Sequence, residues 1–218
     1  LTAAAEAHIR SMREKYEKLI SVNPAVKVLE PHYSKDNKAV RFGFLKGKTL
    51  AEILGEQITG KKAPVEALKA AMDRVFGQAV LKKEPFTPTD QFKEVFGDSE
   101  EILSLQDTSY EVSNIDGLFE NLMETEDGLY CMDYEWVFDF PIPEKFLKYR
   151  DLLYFYRRYE RVLNVKEEDL YAHFGITGGE LQIFDGMEKA FQSYVHDAGS
   201  FRKPLGGIFC FQQEYTTP

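Results

Sequence analysis

Asp116, Asn121 and Asp133 are the residues whose types and spacing could do chemistry. Asn121 follows Asp116 by five positions. Two apolar runs, Asn121-Leu122-Met123 and Leu129-Tyr130-Cys131-Met132, flank Glu126-Asp127-Gly128, and the second delivers Asp133. Apolar runs joined by an Asp-Gly turn predict a β-hairpin. A hairpin sets the residue entering its first strand beside the one leaving its second. Asn121 and Asp133 should therefore meet, with Asp116 close by. Three oxygen-bearing side chains there could hold a hard cation and orient a hydroxyl. A plainer reading also fits the letters: Asp116 and Asn121 as turn residues, and Asp133 as a strand-end cap.

Other elements must position this segment. Ile9, Met12, Tyr16 and Leu19 give one apolar face to a helix over Ala3–Leu19, with Thr2 as its cap. Residues 26–30 and 39–45 read as two strands, paired antiparallel across a polar turn. Thr49 caps a helix from Leu50, and residues 64–76 form another. Thr87-Pro88-Thr89-Asp90 starts a short helical turn over 92–96, stopped by Gly97. Residues 100–110 carry no clear pattern, and 110–112 read as a short strand. After Pro141 and Pro143 a long aromatic helix runs through Phe146–Tyr159. Further helices follow over 164–174 and 177–195, then a Gly- and Pro-containing tail.

The order Asp116, Asn121, hairpin, Asp133 resembles the catalytic segment of the protein-kinase-like superfamily, which includes aminoglycoside phosphotransferases and choline kinases. The triplet that the metal-binding Asp opens reads Asp133-Tyr134-Glu135 here, and Asn114-Ile115 stand where that family usually has His-Arg or His-Gly. The stretch Phe44-Leu45-Lys46-Gly47-Lys48-Thr49-Leu50 is similar to the hinge of the small-molecule kinases. The resemblance implies an α+β, two-lobed fold: a truncated small lobe over residues 1–45, and a mostly helical large lobe over 46–218 holding the hairpin segment 114–136. It implies Asp116 as the catalytic residue, Asn121 and Asp133 as magnesium ligands, Glu6 as the helix Glu of an ion pair, and Gly43 and Leu45 facing the adenine of ATP. The Asp133–Trp136 ending, Phe140-Pro141-Ile142-Pro143 and the helix after it are also similar to kinase-like domains of bacterial cell-surface polysaccharide (lipopolysaccharide) biosynthesis proteins, often fused to a glycosyltransferase or methyltransferase. That second likeness implies a sugar hydroxyl as acceptor. Its rival is an inactive scaffold that partners such a transferase. No G-x-x-x-x-G-K-[ST] or G-x-G-x-x-G occurs, and no strand Lys precedes Glu6. The chain opens on Leu1 rather than Met, so the expectation is a piece of a longer protein.

Composition narrows the classes. The chain has 218 residues, 44% of them hydrophobic, with 17 Phe and 12 Tyr, which favours a packed fold. Net charge is −9, and no basic run tracks an aromatic stripe, so nucleic acid is not an expected partner. No apolar run approaches the roughly 20 residues of a membrane span. Cys131 and Cys210 form no framework pattern, which fits a reducing, cytoplasmic setting. The four histidines lack zinc-ligand spacing, and there is no G-x-S-x-G elbow. Asp133 and Glu135 leave a glycosidase-like acid pair open as a minor alternative.

Overall fold

The computed structural model describes residues 3–59, 64–77 and 82–198, and only the backbone for 3–8 and 196–198. In chain order the elements are α1 (Ala3–Leu19), β1 (Val26–Val28), β2 (His32–Tyr33), β3 (Val40–Arg41), β4 (Lys48–Thr49), α2 (Leu50–Ile58), α3 (Pro64–Phe76), β5 (Glu84–Pro85), α4 (Asp90–Phe96), α5 (Glu100–Leu103), β6 (Thr108–Tyr110), β7 (Ser113–Asn114), β8 (Leu122–Thr125), β9 (Gly128–Cys131), β10 (Val137–Phe138), β11 (Ile142–Pro143), α6 (Glu144–Leu163), α7 (Glu167–His173) and α8 (Gly178–Ala198). The fold is α+β, 50% helix and 16% strand.

The hairpin forms as its sequence predicts. Leu122 pairs with Cys131 and Thr125 with Gly128. Gly128 sits at φ 122°, a backbone angle that side chains resist, which explains glycine at the turn's exit. The hairpin lies at the centre of a four-stranded sheet, in the order β1-β9-β8-β4.

One pairing expected from the sequence is replaced. Residues 26–28 do not pair with 39–45. They run parallel to β9, with Val26 opposite Leu129 and Val28 opposite Cys131. β3 instead closes a small hairpin with β2, His32 opposite Arg41. The reason is local. Ser34, Asp36 and Asn37 build a tight turn in which Ser34 N donates to Ala39 O at 2.9 Å and Asn37 adopts φ 53°. That turn pairs β3 with β2, the strand next to it in sequence.

Both sides of residue 45 therefore contribute to one sheet, because β1 and β4 flank the same hairpin. The crossing at Gly47 requires its glycine: a Cβ there would run into the carbonyl of Glu124 on β8. Thr49 caps α2 in a full capping box with Glu52.

Beneath the sheet, α4, α6 and α8 enclose an aromatic core. Phe92, Phe146 and Phe184 are fully buried. Phe96 sits 5.4 Å from Phe146 and 6.2 Å from Phe191 between ring centroids. Each such ring contributes roughly 2–3 kcal/mol on burial. An exposed ion pair such as Lys18–Asp139 contributes about 1 kcal/mol or less. The aromatic layer, not surface charge, therefore makes the platform under the hairpin rigid. Thr2, Cys210 and the tail beyond residue 198 lie outside the described residues.

Candidate active site

The loop from β7 to β8 is held from every side by named bonds. Ile115 N donates to Trp136 O at 3.1 Å, which continues the β7–β10 pairing. Asp116 N donates to Asn114 Oδ1 at 3.1 Å, an Asx turn. Asn114 Nδ2 in turn donates to the buried Cys131 Sγ at 3.3 Å, tying the loop to β9. Ala51 N, at the start of α2, donates to Phe119 O at 3.0 Å.

From below, α6 presents two charged side chains that are almost wholly buried. Arg150 donates from Nη1 to Ile115 O, and its Nε meets Glu188 Oε2 at 2.6 Å. Asp151 Oδ1 accepts from Phe119 N at 2.7 Å. Burial pushes the Asp151 carboxyl up to about 8, against the opposing pull of Phe119 N and Arg150. Glu188 is shared among Arg150, Tyr154 and Gln192, so no charge in this network stands alone.

The anchored loop brings Asp116, Asn121 and Asp133 together. Asn121 Nδ2 donates to the Asp116 carbonyl at 2.9 Å, and Met132 N donates to Asn121 O at 2.9 Å. Asn121 thus lies across from the residue preceding Asp133. Asp116 Oδ2 accepts from Trp136 N at 2.8 Å. Burial raises the Asp116 carboxyl to about 7, and the nearby Asp133 and Glu135 push the same way, against Trp136 N and Arg150. Asp133 is exposed, its Oδ1 accepting from Glu135 N at 3.4 Å. Tyr134, between them, is fully buried and donates to Leu29 O at 2.7 Å. The alternation aims Asp133 outward by burying its neighbour.

The hinge segment passes nearby, with the Phe42 ring edge-on to Tyr134 at 6.1 Å. Gly43 is exposed and Leu45 half-buried. Among the described residues neither backbone has a hydrogen-bond partner. The Glu6 side chain lies outside the described residues; its backbone is on α1, nine positions before Lys15. Lys15 was not singled out by the sequence pattern, yet its Nζ donates to the Glu135 carbonyl. Burial lowers its pKa, opposed by the charges of Glu135 and Asp116.

Behind the loop lies a cavity of about 100 Å³ lined by Val28, Val75, Val112, Ser113, Asn114 and Leu122 among others. Ser113 Oγ is buried there with no hydrogen-bond partner among the described residues.

No group of three or more His, Cys, Asp or Glu among the described residues could hold a metal unaided. Magnesium rarely uses such a cage; it is held by one or two side chains together with phosphate oxygens and water. Asn121 and Asp133 fit that pattern. The amide nitrogen of Asn121 is engaged inward, which leaves Oδ1 as the atom it could offer a cation. No helix among the described residues is long and apolar enough to cross a membrane.

Compared with protein-family models, curated proteins and solved structures, the chain matches none.

Proposed function

We propose that the chain is a kinase-like phosphotransferase domain that uses ATP and magnesium to phosphorylate a hydroxyl of a small-molecule sugar. Its setting would be bacterial surface polysaccharide biosynthesis in the cytoplasm, beside or fused to a glycosyltransferase or methyltransferase. The acceptor and setting rest on the sequence resemblance. The chemistry rests on one observation above all: the Asp116 carboxylate is fixed by Trp136 N beside Asp133, with a pKa raised to about 7.

A carboxylate at that value can take a proton near neutral pH. Oδ2 is occupied by Trp136 N, so Oδ1 is the oxygen left to meet an acceptor hydroxyl. As the hydroxyl oxygen bonds to the γ-phosphorus, its proton passes to Asp116 and the bond to ADP breaks. Magnesium, when bound, draws charge from the phosphate oxygens. Asn121 and Asp133 are the residues that would hold it. Gly43 and Leu45 offer free backbone groups for adenine, and the Phe42 ring stands beside them. Glu6 keeps its proposed place on the ion-pair helix.

The rival reading, under the same resemblance, is a catalytically inactive scaffold that partners a transferase. Thermal denaturation with millimolar ATP and magnesium separates the two. The enzyme reading expects a magnesium-dependent rise in Tm that Asp133→Asn abolishes. No rise in the unmutated chain would leave the scaffold.

A further inference from the structure

The proposed site is rich in acids and needs a cation for the phosphate chain. Arg150 lies under the loop, locked between Glu188 and the Ile115 carbonyl. Arg13 turns away to Pro31 O and Glu30. Lys18 is paired with Asp139 at 2.8 Å. Lys15, one turn before Lys18, is different. Its Nζ reaches the segment leaving the hairpin and donates to the backbone carbonyl of Glu135. Among the described residues no carboxylate forms an ion pair with it.

An ammonium has three donors, and one carbonyl uses one of them. Lys15 is also placed firmly. Met12 and Leu19 of α1 are buried in the core, and Tyr33 OH donates to Ile9 O at 2.7 Å while accepting from Arg13 N at 2.9 Å. The helix therefore cannot swing Lys15 off the site without breaking both contacts.

We propose that Lys15 is the phosphate-binding cation of this site, presented by helix α1 to an oxygen of the nucleotide's phosphate chain. The proposal rests on the phosphotransferase reading. It places on the helix the positive charge that the sequence resemblance expects on a preceding strand. The backbone of Glu6, nine residues away, stands about 13 Å further along the helix axis. A phosphate chain arriving beside Asp116 and Asp133 would meet acidic side chains, which a cation nearby offsets. A half-buried ammonium offsets more than an exposed one, since less water screens it.

The test is calorimetric titration of the whole chain with Mg·ATP and, separately, with adenosine. Lys15→Met should weaken Mg·ATP binding roughly 10- to 100-fold, the range for one charge-assisted hydrogen bond. Adenosine binding should not change, and Lys15→Arg should restore most of the Mg·ATP affinity. Lys18→Met should bind as the unmutated chain does. Should Lys15→Met fail to fold by circular dichroism, Lys15→Gln removes the charge while keeping a polar, hydrogen-bonding end. Equal Mg·ATP affinity in the unmutated chain and Lys15→Met overturns the proposal and leaves the phosphotransferase reading standing. Equal weakening of ATP and adenosine also overturns it, since the role would then be structural. Failure of the unmutated chain to bind either ligand overturns both.

Discussion

At the scale of single residues, the site works by separating like groups with unlike surroundings. Asp116 and Asp133 are both aspartates near one hairpin mouth, yet one is mostly enclosed and the other exposed. Burial is the main reason that Asp116 holds its proton to about 7, and the charge of Asp133 is a smaller one. Asp133→Asn should therefore move the Asp116 pKa down, but not to that of a free aspartate. Carboxyl-carbon NMR titration of the two chains would show it. An unchanged Asp116 titration would mean that the two carboxylates do not sense each other. Lys15 belongs to this scale too. In the sequence it is one of two lysines on an amphipathic helix, and nothing in its spacing marks it. Only the packing of α1 against the hairpin exit gives it a role, through a bond across 120 positions.

At the scale of elements, legibility followed range. The hairpin was readable because its turn and its strands are neighbours in sequence. The longer helices were readable from periodicity, the four-residue α5 was not, and α6 runs Glu144–Leu163 where the aromatic pattern placed it. The partner of β1 was not readable, because a parallel pairing with β9 joins residues about a hundred positions apart and leaves no local signal. The role of α6 had a signal that was easy to pass over. Arg150 and Asp151 interrupt a run of aromatic and aliphatic residues, and charged residues are rarely buried without partners. Asp151 makes this testable. Its replacement by Ala would strand the Phe119 N–H in the core, at a cost of about 1–3 kcal/mol, whereas Asn keeps an acceptor and should cost less. The pH dependence follows from linkage. The folded state holds the Asp151 proton to about 8, the unfolded chain only to about 4. Between those values the folded state binds more protons, so this group makes stability fall as pH rises from about 4 to about 8. Urea denaturation at pH 5 and pH 8 should show a smaller difference in Asp151→Asn than in the unmutated chain. An identical difference would remove Asp151 from the titration.

At the scale of the whole molecule, the division at residue 45 that the sequence suggests meets a sheet that spans it. β1 lies on one side of the hairpin and β4 on the other, while α1 inserts Met12 and Leu19 into the same buried cluster that includes Leu122 and Cys131. The cavity behind the loop is likewise walled from both directions, by Val28 before the division and by Val75 and Val112 after it. A segment of about 45 residues with three short strands and one helix buries too little apolar surface to fold alone. The remainder would lose the neighbour of β9 and expose an edge. The two parts should therefore unfold together. In guanidinium, tryptophan fluorescence from Trp136 and far-ultraviolet circular dichroism should trace one coincident transition, as cooperative single units do. Trp136 is a sensitive reporter here, because its backbone holds Asp116 while its ring packs at 6.0 Å from Phe191 of α8. Two separated transitions would mean that α1 and the first strands form a detachable layer. Lys15 could then leave the hairpin without unfolding it. Coincident transitions would instead bind its position to the fold itself.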